Sequence, residues 1–383
     1  MGERQSALEE MVCPMRALSS TFWQDRPVFV TGHTGFKGSW LSLWLQLMGA
    51  RVTGFAVQPP TTPSLFHEAK VSSGMTSIEG DVRDLAALTQ AIKQARPEIV
   101  FHLAAQPLVR HSYVYPVETY ATNVMGTVNL LEAVRQADSV KAVVCVTSDK
   151  CYENNACKTP FNEEDAMGGH DPYSSSKGCA ELVAAAYRRS FFEGAVGRQE
   201  VTVATVRAGN VIGGGDWAAD RLIPDVLTAF AKGQTALIRN PNSVRPWQHV
   251  LEPLRGYMQL AQALVTGGAR YSGAFNFGPR AHDEQPVAWL VSKISQLWGE
   301  GASWQIAEGQ HPHEAGILRL DSSKATKFLD WNPRLNLEEV LQLTVDWYRA
   351  QTQGEDMRGK TLAQIEQYEL LCASLPATEE LVC

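Results

Sequence analysis

A short apolar run that leads into three regularly spaced glycines constrains the fold of this chain more than any other feature. Residues 27–31 are predicted to form a buried strand, and residues 39–48 a helix. Gly32, Gly35 and Gly38 lie between them with the spacing GxxGxxG. Glycine allows positive φ and lets the backbone approach a pyrophosphate, which then lies at the helix N-terminus. Strand, turn and helix together predict a dinucleotide-binding unit.

Strands and helices alternate through residue 207, which predicts an α/β fold with a Rossmann-type, doubly wound parallel sheet over residues 26–207. The pattern loosens afterwards. Residues 208–350 are therefore expected to form mainly a smaller, mixed α/β substrate lobe, with the chain returning to the first unit at about 250–280. Residues 1–25 are expected to be a loosely held extension and residues 351–383 a tail without an assigned role.

The end of the second predicted strand bears on the choice of cofactor. In NAD-binding Rossmann units an acidic residue near this point accepts the ribose hydroxyls. Here the chain continues Val57-Gln58-Pro59-Pro60, with no acid. Lys37, in the glycine turn, is a candidate for meeting a phosphate instead. The residues therefore predict NAD or NADP without choosing between them.

Other turn residues complete the predicted dinucleotide site. Asp81 is placed either to accept from the adenine amine or to cap the following helix. The small residues Ala104 and Ala105 allow the dinucleotide to pass close to the backbone. Asn123, inside a predicted helix, is expected either to hydrogen-bond locally at a kink or to face solvent. The predicted cofactor contacts are Gly32, Thr34, Gly35, Phe36, Lys37, Gly38, Asp81, Val82, Leu103, Ala104, Ala105, Gln106, Asn123, Tyr173 and Lys177.

Tyr173 and Lys177 are the candidate catalytic pair. They lie four residues apart at the start of a predicted helix, so they share one face of it. An ammonium beside a phenol is expected to lower the pKa of the phenol and to make it a base near neutral pH. Ser148, at the end of a buried apolar run, is the natural third member.

The composition argues against several classes of protein. Across 383 residues, Lys and Arg number 34 and Asp and Glu 41, a net charge of −7 without a basic run, so nucleic acid is not an expected partner. No apolar run approaches the length of a membrane span. The seven cysteines form no CxxC pair or Cys/His metal spacing, and we expect reduced cytoplasmic thiols and no metal site.

These motifs resemble those of the extended short-chain dehydrogenase/reductase family over about residues 22–350. Segments 147–152, 210–217 and 245–249 narrow the resemblance to its CDP-glucose 4,6-dehydratase branch. The resemblance implies a NAD-dependent lyase that oxidises the C4 hydroxyl of a nucleotide sugar, eliminates water across C5 and C6, and returns the same hydride to C6. It also implies a small-molecule nucleotide-sugar partner and a homodimer or homotetramer.

The resemblance assigns roles at the reaction centre. Tyr173 would take the C4 hydroxyl proton, Lys177 would hold the nicotinamide ribose, and Ser148 would donate to the developing carbonyl oxygen. Asp149 and Lys150 would share the acid and base roles of the elimination, with the division between them open. Related dehydratases usually carry Asp-Glu here, so Lys150 departs from the wider pattern but agrees with the CDP-glucose branch. The alternative for this pair is a surface ion pair.

The substrate lobe supplies candidate phosphate ligands. Guanidinium forks suit diphosphate oxygens, and Arg245 is the best candidate. Asn210 is expected to donate to a phosphate, and Trp247 is either an aromatic face for the nucleotide or a core side chain. The candidate substrate contacts are Arg110, Asn210, Arg221, Arg239, Arg245 and Trp247.

Other functions stay open at this point. A GDP-mannose or dTDP-glucose 4,6-dehydratase would carry similar residues, because base selection cannot be derived from them. A nucleotide-sugar 4-epimerase would use Ser148, Tyr173 and Lys177 but would not need Asp149 and Lys150. A non-catalytic dinucleotide-sensing protein on the same fold would have no need of the Tyr and Lys.

Overall fold

The central sheet of the computed structural model has seven parallel strands within the described residues, which are 18–154, 159–194, 200–280, 283–307 and 318–374. In chain order the strands are β1 Pro27–Thr31, β2 Arg51–Ala56, β3 Thr76–Glu79, β4 Ile99–His102, β5 Ala142–Val146, β6 Thr202–Arg207, β7 Val211–Ile212, β8 Ala236–Ile238, β9 Val244–Pro246, β10 Gln248–His249, β11 Gly273–Asn276, β12 Glu284–Pro286 and β13 Trp304–Ile306. The sheet order is β11-β6-β5-β4-β1-β2-β3. This order confirms the predicted doubly wound fold, and it reverses between β1 and β4, where such sheets bind ligands.

Helices cover both faces of this sheet. In chain order they are α1 Ser20–Trp23, α2 Phe36–Leu47, α3 Leu65–Glu68, α4 Leu85–Ala95, α5 Val109–Val114, α6 Pro116–Tyr120, α7 Gly126–Arg135, α8 Pro172–Tyr187, α9 Leu222–Ala231, α10 Leu251–Gly267, α11 Val287–Trp298, α12 Ser323–Leu329, α13 Leu337–Thr352 and α14 Met357–Ser374. The predicted helix that contains Asn123 is interrupted by a π-type turn at Ala121–Met125.

Alternate residues of β1 show why the sheet is covered on both sides. Val28 and Val30 pack in one apolar core with α2 and α10, whereas Phe29 packs in a second core with α4 and α7. Successive side chains of a strand point to opposite faces, so an all-apolar strand needs helices on both. Burial of each such side chain contributes roughly 1.5–3 kcal/mol.

Short strand pairs build the smaller lobe. Strands β7 and β10 pair in parallel, as do β8 and β13, whereas β9 and β12 are antiparallel. Helices α9 and α11 accompany them. Residues of this lobe and of the loops that follow the sheet strands line the same cavity.

Both ends of the described chain differ from the predicted loose extension and tail. Trp23 of α1 is fully buried in the main core. Helix α14 packs on the body of the protein through Met357, Ile365 and Tyr368. The hydroxyl of Tyr368 donates to Glu252 Oε2 of α10 at 2.6 Å. These ends are therefore part of the core, while residues 1–17 and 375–383 of the predicted extension and tail lie outside the described residues.

Cysteines in the described segments are free thiols: Cys145, Cys151, Cys179 and Cys372. Burial raises the pKa of Cys145 to about 12, so this thiol is a packing group and not a nucleophile. Across the same segments, no group of three His, Cys, Asp or Glu residues is arranged to hold a metal ion. Nor does any helix there have the length and apolar character needed to cross a bilayer.

Candidate active site

A cavity of about 1590 Å³ lies at the carboxyl ends of the sheet strands. Its walls come from the segments after β1 to β6 and from the smaller lobe. Every predicted cofactor, catalytic and substrate residue lines it, with the exception of Asn123. Pockets for one ligand usually measure about 300–1,000 Å³, so this cavity has room for a dinucleotide and a second ligand.

The glycine turn between β1 and α2 shows which of its glycines the fold itself requires. A Cβ on Gly32 would lie 2.7 Å from the backbone N of Ala104, and one on Gly38 would lie 2.1 Å from the carbonyl oxygen of Gly32. A Cβ on Gly35 would meet only that same carbonyl, at 3.4 Å. Gly35 lines the cavity and is the N-cap of α2. The cavity side of this helix terminus therefore fits a pyrophosphate.

Asp81 lies at the cavity wall and pairs with Arg83. Arg83 Nε donates to Asp81 Oδ2 at 2.8 Å, and this side-chain bond is the main cause of the lowered pKa of Asp81. Helix α4 is capped instead by Asp84, whose Oδ1 accepts from the N–H of Ala87 at 3.0 Å. The alternative of a capping role for Asp81 is therefore wrong.

Asn123 is buried behind the cavity wall. Its Nδ2 donates to Ser176 Oγ at 2.9 Å and to the carbonyl oxygen of Gln106 at 3.1 Å, and its Oδ1 accepts from the N–H of Gln106 at 2.8 Å. The π-type turn that contains it is the expected kink, and the solvent-facing alternative is wrong. Asn123 thus joins the segment after β4 to helix α8, which is a positioning role and not a direct cofactor contact.

Tyr173 enters the site in the first turn of α8. Asp171 caps this helix by accepting from the N–H of Ser174 at 2.9 Å, and Pro172 occupies the first helical position, where an N–H has no intrahelical partner. The Tyr173 side chain is buried and hydrogen-bonds to Ser148. The cap therefore fixes the point at which the phenol meets the end of β5.

The pKa values of the catalytic pair differ from the prediction. Burial raises the pKa of Tyr173 to about 12, and its hydrogen bond with Ser148 acts in the opposite direction. Burial also lowers the pKa of Lys177 to about 8, while the Glu181 carboxylate raises it. Lys177 Nζ donates to the carbonyl oxygen of Val146 at 3.4 Å. The expected lowering of the phenol pKa by Lys177 is not seen for the protein groups alone, because desolvation dominates and Lys177 is not among the main causes of the shift.

Asp149 and Lys150 both line the cavity. Asp149 is only 5% exposed, and Ser148 Oγ donates to its Oδ1 at 2.9 Å. A Cβ on Gly209 would lie 1.8 Å from Asp149 Oδ2, so glycine at that position leaves room for the carboxylate. Lys150 is half-buried. The alternative of a surface ion pair is therefore wrong for Asp149, which faces the site beside Ser148.

A buried charged network, which the sequence analysis missed, holds the catalytic segment. Arg207 Nε and Nη2 donate to the Glu181 carboxylate at 3.0 and 2.9 Å, and Arg207 Nη1 donates to the Tyr152 hydroxyl at 2.7 Å. The Thr147 hydroxyl also donates to Glu181. Thr147 and Tyr152 flank the segment 148–150 on either side. The signal that points to Glu181 is its position four residues after the catalytic lysine, on the same face of α8.

The predicted substrate arginines pair with carboxylates of the smaller lobe. Arg221 Nη1 donates to Asp216 Oδ2 at 2.6 Å. Arg110 and Arg239 both contact Asp220 Oδ1, at 2.9 and 3.3 Å. All three guanidiniums still line the cavity. Asp216 and Asp220, which the sequence analysis did not single out, therefore orient cations that a diphosphate would meet.

The remaining substrate candidates share the cavity wall. Arg245 lies on β9 and lines the cavity. Asn210 has a positive φ of 49°, and its carbonyl oxygen accepts from the N–H of Gln248 at 3.2 Å. Trp247 packs in the main core, as one alternative predicts, and it also lines the cavity, while its contact with the nucleotide stays a prediction.

Lys37 faces the catalytic end of the cavity. Burial lowers its pKa to about 8, the Arg221 charge lowers it further, and the Asp149 charge raises it. Those groups belong to the segments after β5 and before α9, not to the end of β2. A phosphate contact of Lys37 stays a prediction.

Comparison with known proteins agrees with this geometry. Residues 29–344 match the family model described as GDP-mannose 4,6 dehydratase. The CDP-glucose 4,6-dehydratase of Salmonella typhimurium (strain LT2) is 56% identical over 352 residues, which cover 92% of this chain and 98% of the relative. MoeE5, solved in complex with UDP-glucose and NAD, is 28% identical, with a TM-score of 0.71 over 85% of this chain and 99% of that chain.

A dTDP-glucose 4,6-dehydratase from Bacillus anthracis str. Ames, solved in complex with NAD, shares the fold at 23% identity, with a TM-score of 0.70 over 87% of this chain and 99% of that chain. The family match spans the Rossmann sheet and the smaller lobe, and so both sides of the cavity. The chain belongs to the GDP-mannose 4,6 dehydratase family of extended short-chain dehydrogenase/reductases.

Proposed function

We propose that this protein is a NAD-dependent lyase that converts CDP-D-glucose to CDP-4-keto-6-deoxy-D-glucose and water, for deoxysugar and lipopolysaccharide biosynthesis. The observation that carries the proposal is the placement of Asp149 and Lys150 beside Ser148, Tyr173 and Lys177 in one cavity. The chain is also 56% identical to a CDP-glucose 4,6-dehydratase. An epimerase needs no acid and base for elimination, so the buried Asp149 favours the dehydratase.

The glycine turn and α8 would hold the cofactor. NAD, when bound there, would supply the hydride acceptor for C4 and the hydride donor for C6. The N-terminus of α2 at Gly35 would bind its pyrophosphate, and Lys177 would bind its nicotinamide ribose. Ala104 and Ala105 line the same cavity and would let the dinucleotide pass close to the backbone.

Tyr173 would remove the proton from the C4 hydroxyl. Its raised pKa means that the protein groups alone leave the phenol protonated at neutral pH. Positive charge near the ring favours loss of that proton, and Arg221 acts in this direction. Ser148 Oγ, which contacts both the phenol and Asp149, would donate to the developing C4 carbonyl oxygen.

Asp149 and Lys150 would carry out the elimination. The C4 ketone makes the C5 proton acidic, and Lys150, half-buried at the cavity, is the proposed base for it. Asp149 is the proposed acid for the departing C6 hydroxyl. Arg245 and Arg221 are the proposed ligands of the substrate diphosphate, with Arg221 oriented by Asp216.

A homodimer is the proposed assembly. Exposed apolar side chains lie on neighbouring helices: Tyr113 is 66% exposed, Val117 81% and Leu182 61%. Helices α5, α6 and α8, which carry them, pack against one another. Light scattering after size-exclusion chromatography should give a dimer mass, and Val117→Glu with Leu182→Glu should give a monomer. A wild-type monomer would contradict the dimer.

The cytoplasm is the proposed place of action. Free thiols at Cys145, Cys151, Cys179 and Cys372 suit a reducing compartment. Cell fractionation should recover the protein with cytoplasmic markers. Recovery with periplasmic or membrane markers would contradict this location.

Product analysis on a panel of nucleotide sugars tests the proposed function. The purified protein is incubated separately with CDP-glucose, dTDP-glucose, GDP-mannose and UDP-glucose in the presence of NAD. The molecular mass of each product is then measured by mass spectrometry. We expect the loss of one water from CDP-glucose, at a kcat/KM that exceeds the others. An isomer of unchanged mass would indicate an epimerase. A higher kcat/KM for a sugar with another nucleotide would show that CDP-glucose is not the preferred substrate.

A further inference from the structure

We propose that Gln58 and Glu79 together replace the single ribose-binding acid of other Rossmann units, and that Glu79 makes the site reject a 2′-phosphate. The inference rests on the proposed NAD-dependent function and deepens it by naming the residues that choose the cofactor. It concerns the end of β2, where the sequence offers no acid.

The register of the sheet brings a carboxylate to this point from the next strand. Strand β2 ends at Ala56, whose register partner is Glu79 at the end of β3. Gln58 lies two residues beyond Ala56 and lines the cavity. Gln58 Nε2 donates to Glu79 Oε2 at 2.5 Å. The carboxylate therefore stands one hydrogen bond away from the position that a β2 acid usually occupies.

The pair has the hydrogen-bonding groups that ribose hydroxyls require. Once its amide donates one N–H to Glu79, Gln58 retains a second N–H and a carbonyl oxygen. It can therefore donate to one hydroxyl and accept from its neighbour. The bond to Glu79 also holds the amide in one orientation. Thr34 stabilises the same turn, because its hydroxyl donates to the carbonyl oxygen of Val57 at 3.0 Å.

The charges at this edge of the cavity oppose a phosphate. Asp81 and Arg83 line the cavity, and the exposed Glu79 lies beside it through its bond to Gln58. Together they contribute two carboxylates and one guanidinium, a net charge of −1. Arg83 is already bound to Asp81 through two contacts, at 2.8 and 2.5 Å. Lys37 faces the catalytic residues at the other end of the cavity. A 2′-phosphate would therefore meet a carboxylate without a free cation of this group to neutralise it.

Titration of the whole protein, freed of endogenous nucleotide, with NAD⁺ and with NADP⁺ in a calorimeter tests this inference. We expect the wild type to bind NAD⁺ at least about 30-fold more tightly than NADP⁺. Glu79→Gln should raise the affinity for NADP⁺ about 10-fold and leave that for NAD⁺ within about 3-fold, because it removes charge and keeps the hydrogen bond. Glu79→Lys should shift the ratio further towards NADP⁺, and Gln58→Ala should weaken NAD⁺ by about 10-fold.

Asp138→Asn is the matched control. This carboxylate is on the surface, where it pairs with Arg96, and its side chain is 78% exposed. The substitution makes the same change in net charge and should leave the NAD⁺ to NADP⁺ affinity ratio unaltered. If Glu79→Gln and Glu79→Lys, both folded by circular dichroism, keep the wild-type ratio within 2-fold (roughly 0.4 kcal/mol), the inference is overturned.

The readout separates failure of this inference from failure of the proposed function. Binding ratios are measured without turnover, so they remain informative even if CDP-glucose is not the substrate. Product mass from CDP-glucose is measured on the same samples. Loss of water with an unchanged cofactor ratio overturns only the role of Gln58 and Glu79. A shifted ratio without product leaves that role supported and overturns the dehydratase.

Discussion

Two lysines at the site differ in burial, and this difference suits them to different tasks. Lys177 is buried and donates to the carbonyl oxygen of Val146, so its ammonium is held in one place. Lys150 is half-buried at the cavity wall, next to the buried carboxylate of Asp149. A fixed cation suits cofactor binding, whereas a less buried amine at the cavity wall suits proton transfer.

Lys150→Ala should separate the two halves of the reaction. Oxidation at C4 should persist and appear as transient reduced cofactor absorbance, while dehydration falls by about 10²-fold or more, because the C5 base is missing. Stopped-flow absorbance and product mass measure the two halves. Lys141→Ala, which removes a surface lysine that pairs with Glu98, is the control. Dehydration at the wild-type rate in Lys150→Ala would show that Lys150 is not the base.

Tyr173→Phe should abolish the first half instead. The substitution keeps the ring in its buried position and removes the hydroxyl that bonds to Ser148. Without that group the C4 proton has no acceptor, so the rate of cofactor reduction should fall about 10²- to 10⁴-fold. Substrate binding, measured by calorimetry, should change little. Near-normal cofactor reduction would exclude Tyr173 as the base.

The positions of Ser148, Tyr173 and Lys177 could be predicted from the sequence, but the pKa of the Tyr173 phenol could not. The four-residue spacing places Tyr173 and Lys177 on one helix face, and the apolar pattern places Ser148 at the end of a strand. All three residues line the cavity in the structure. The raised pKa of the phenol follows from desolvation by residues distant in sequence. Three-dimensional burial of this kind leaves no local trace in the chain.

Helix α8 connects the proposed catalytic residues Tyr173 and Lys177 to the buried network of Glu181 and Arg207. Glu181 accepts from Arg207, Thr147 and Thr205, and these partners lie on β6 or at the end of β5. The helix is therefore held to the carboxyl ends of two strands by charged hydrogen bonds, which are stronger than neutral ones. The position of the catalytic segment depends on this attachment.

Glu181→Gln should move the alkaline limb of the pH profile to lower pH. The proposed activity depends on protonated Lys177, whose pKa of about 8 is lowered by burial and raised by the Glu181 charge. Removing that charge lowers the pKa, so activity should be lost at a pH lower by up to about one unit. The profile of kcat/KM between pH 6 and 10 (roughly spanning the limb) measures this shift. The other titratable groups near Lys177 are Lys37, His102, Cys145 and Cys151.

Glu132→Gln serves as its control, because this carboxylate pairs with Arg135 in a surface contact on α7. Its pH profile should coincide with that of the wild type. An unmoved limb in Glu181→Gln would mean that Lys177 does not set the alkaline loss of activity.

Secondary-structure boundaries could be predicted from local sequence patterns, whereas contacts between strands could not. The strand–turn–helix pattern locates β1 and α2 within a few residues of their bounds. The hydrogen bond between Gln58 and Glu79 depends on the register of β2 against β3, which no local pattern specifies. An acid missing from one strand was therefore found on its neighbour.

At the scale of the whole molecule, the C-terminal helix completes the core. Trp44 Nε1 of α2 donates to Glu369 of α14 at 2.7 Å, and Tyr368 donates to the buried Glu252 of α10. Helix α2 also carries the glycine turn at its N-terminus. The apparent tail thus supports the helix that faces the cofactor end of the cavity. The sequence of α14 is mostly polar because only one face of the helix is buried, so its packing on the core could not be predicted.

Tyr368→Phe should destabilise the fold by about 1–3 kcal/mol, because it removes a donor from a buried carboxylate. Denaturant unfolding measures the change. Leu370→Ala, at a position of the same helix that is 72% exposed, should have a much smaller effect. Equal stability of Tyr368→Phe and the wild type would contradict a supporting role for this contact.

The fate of the C4 hydrogen shows whether one bound sugar is oxidised at C4, dehydrated and reduced at C6. CDP-glucose carrying deuterium at C4 is incubated with the protein and NAD, and the product is examined by mass spectrometry and NMR. We expect a product lighter by one water, with the deuterium at C6, because the hydride taken from C4 is proposed to return to C6 of the sugar held in this cavity. A product that retains its water, or one in which the deuterium remains at C4 or is lost to solvent, would contradict the account.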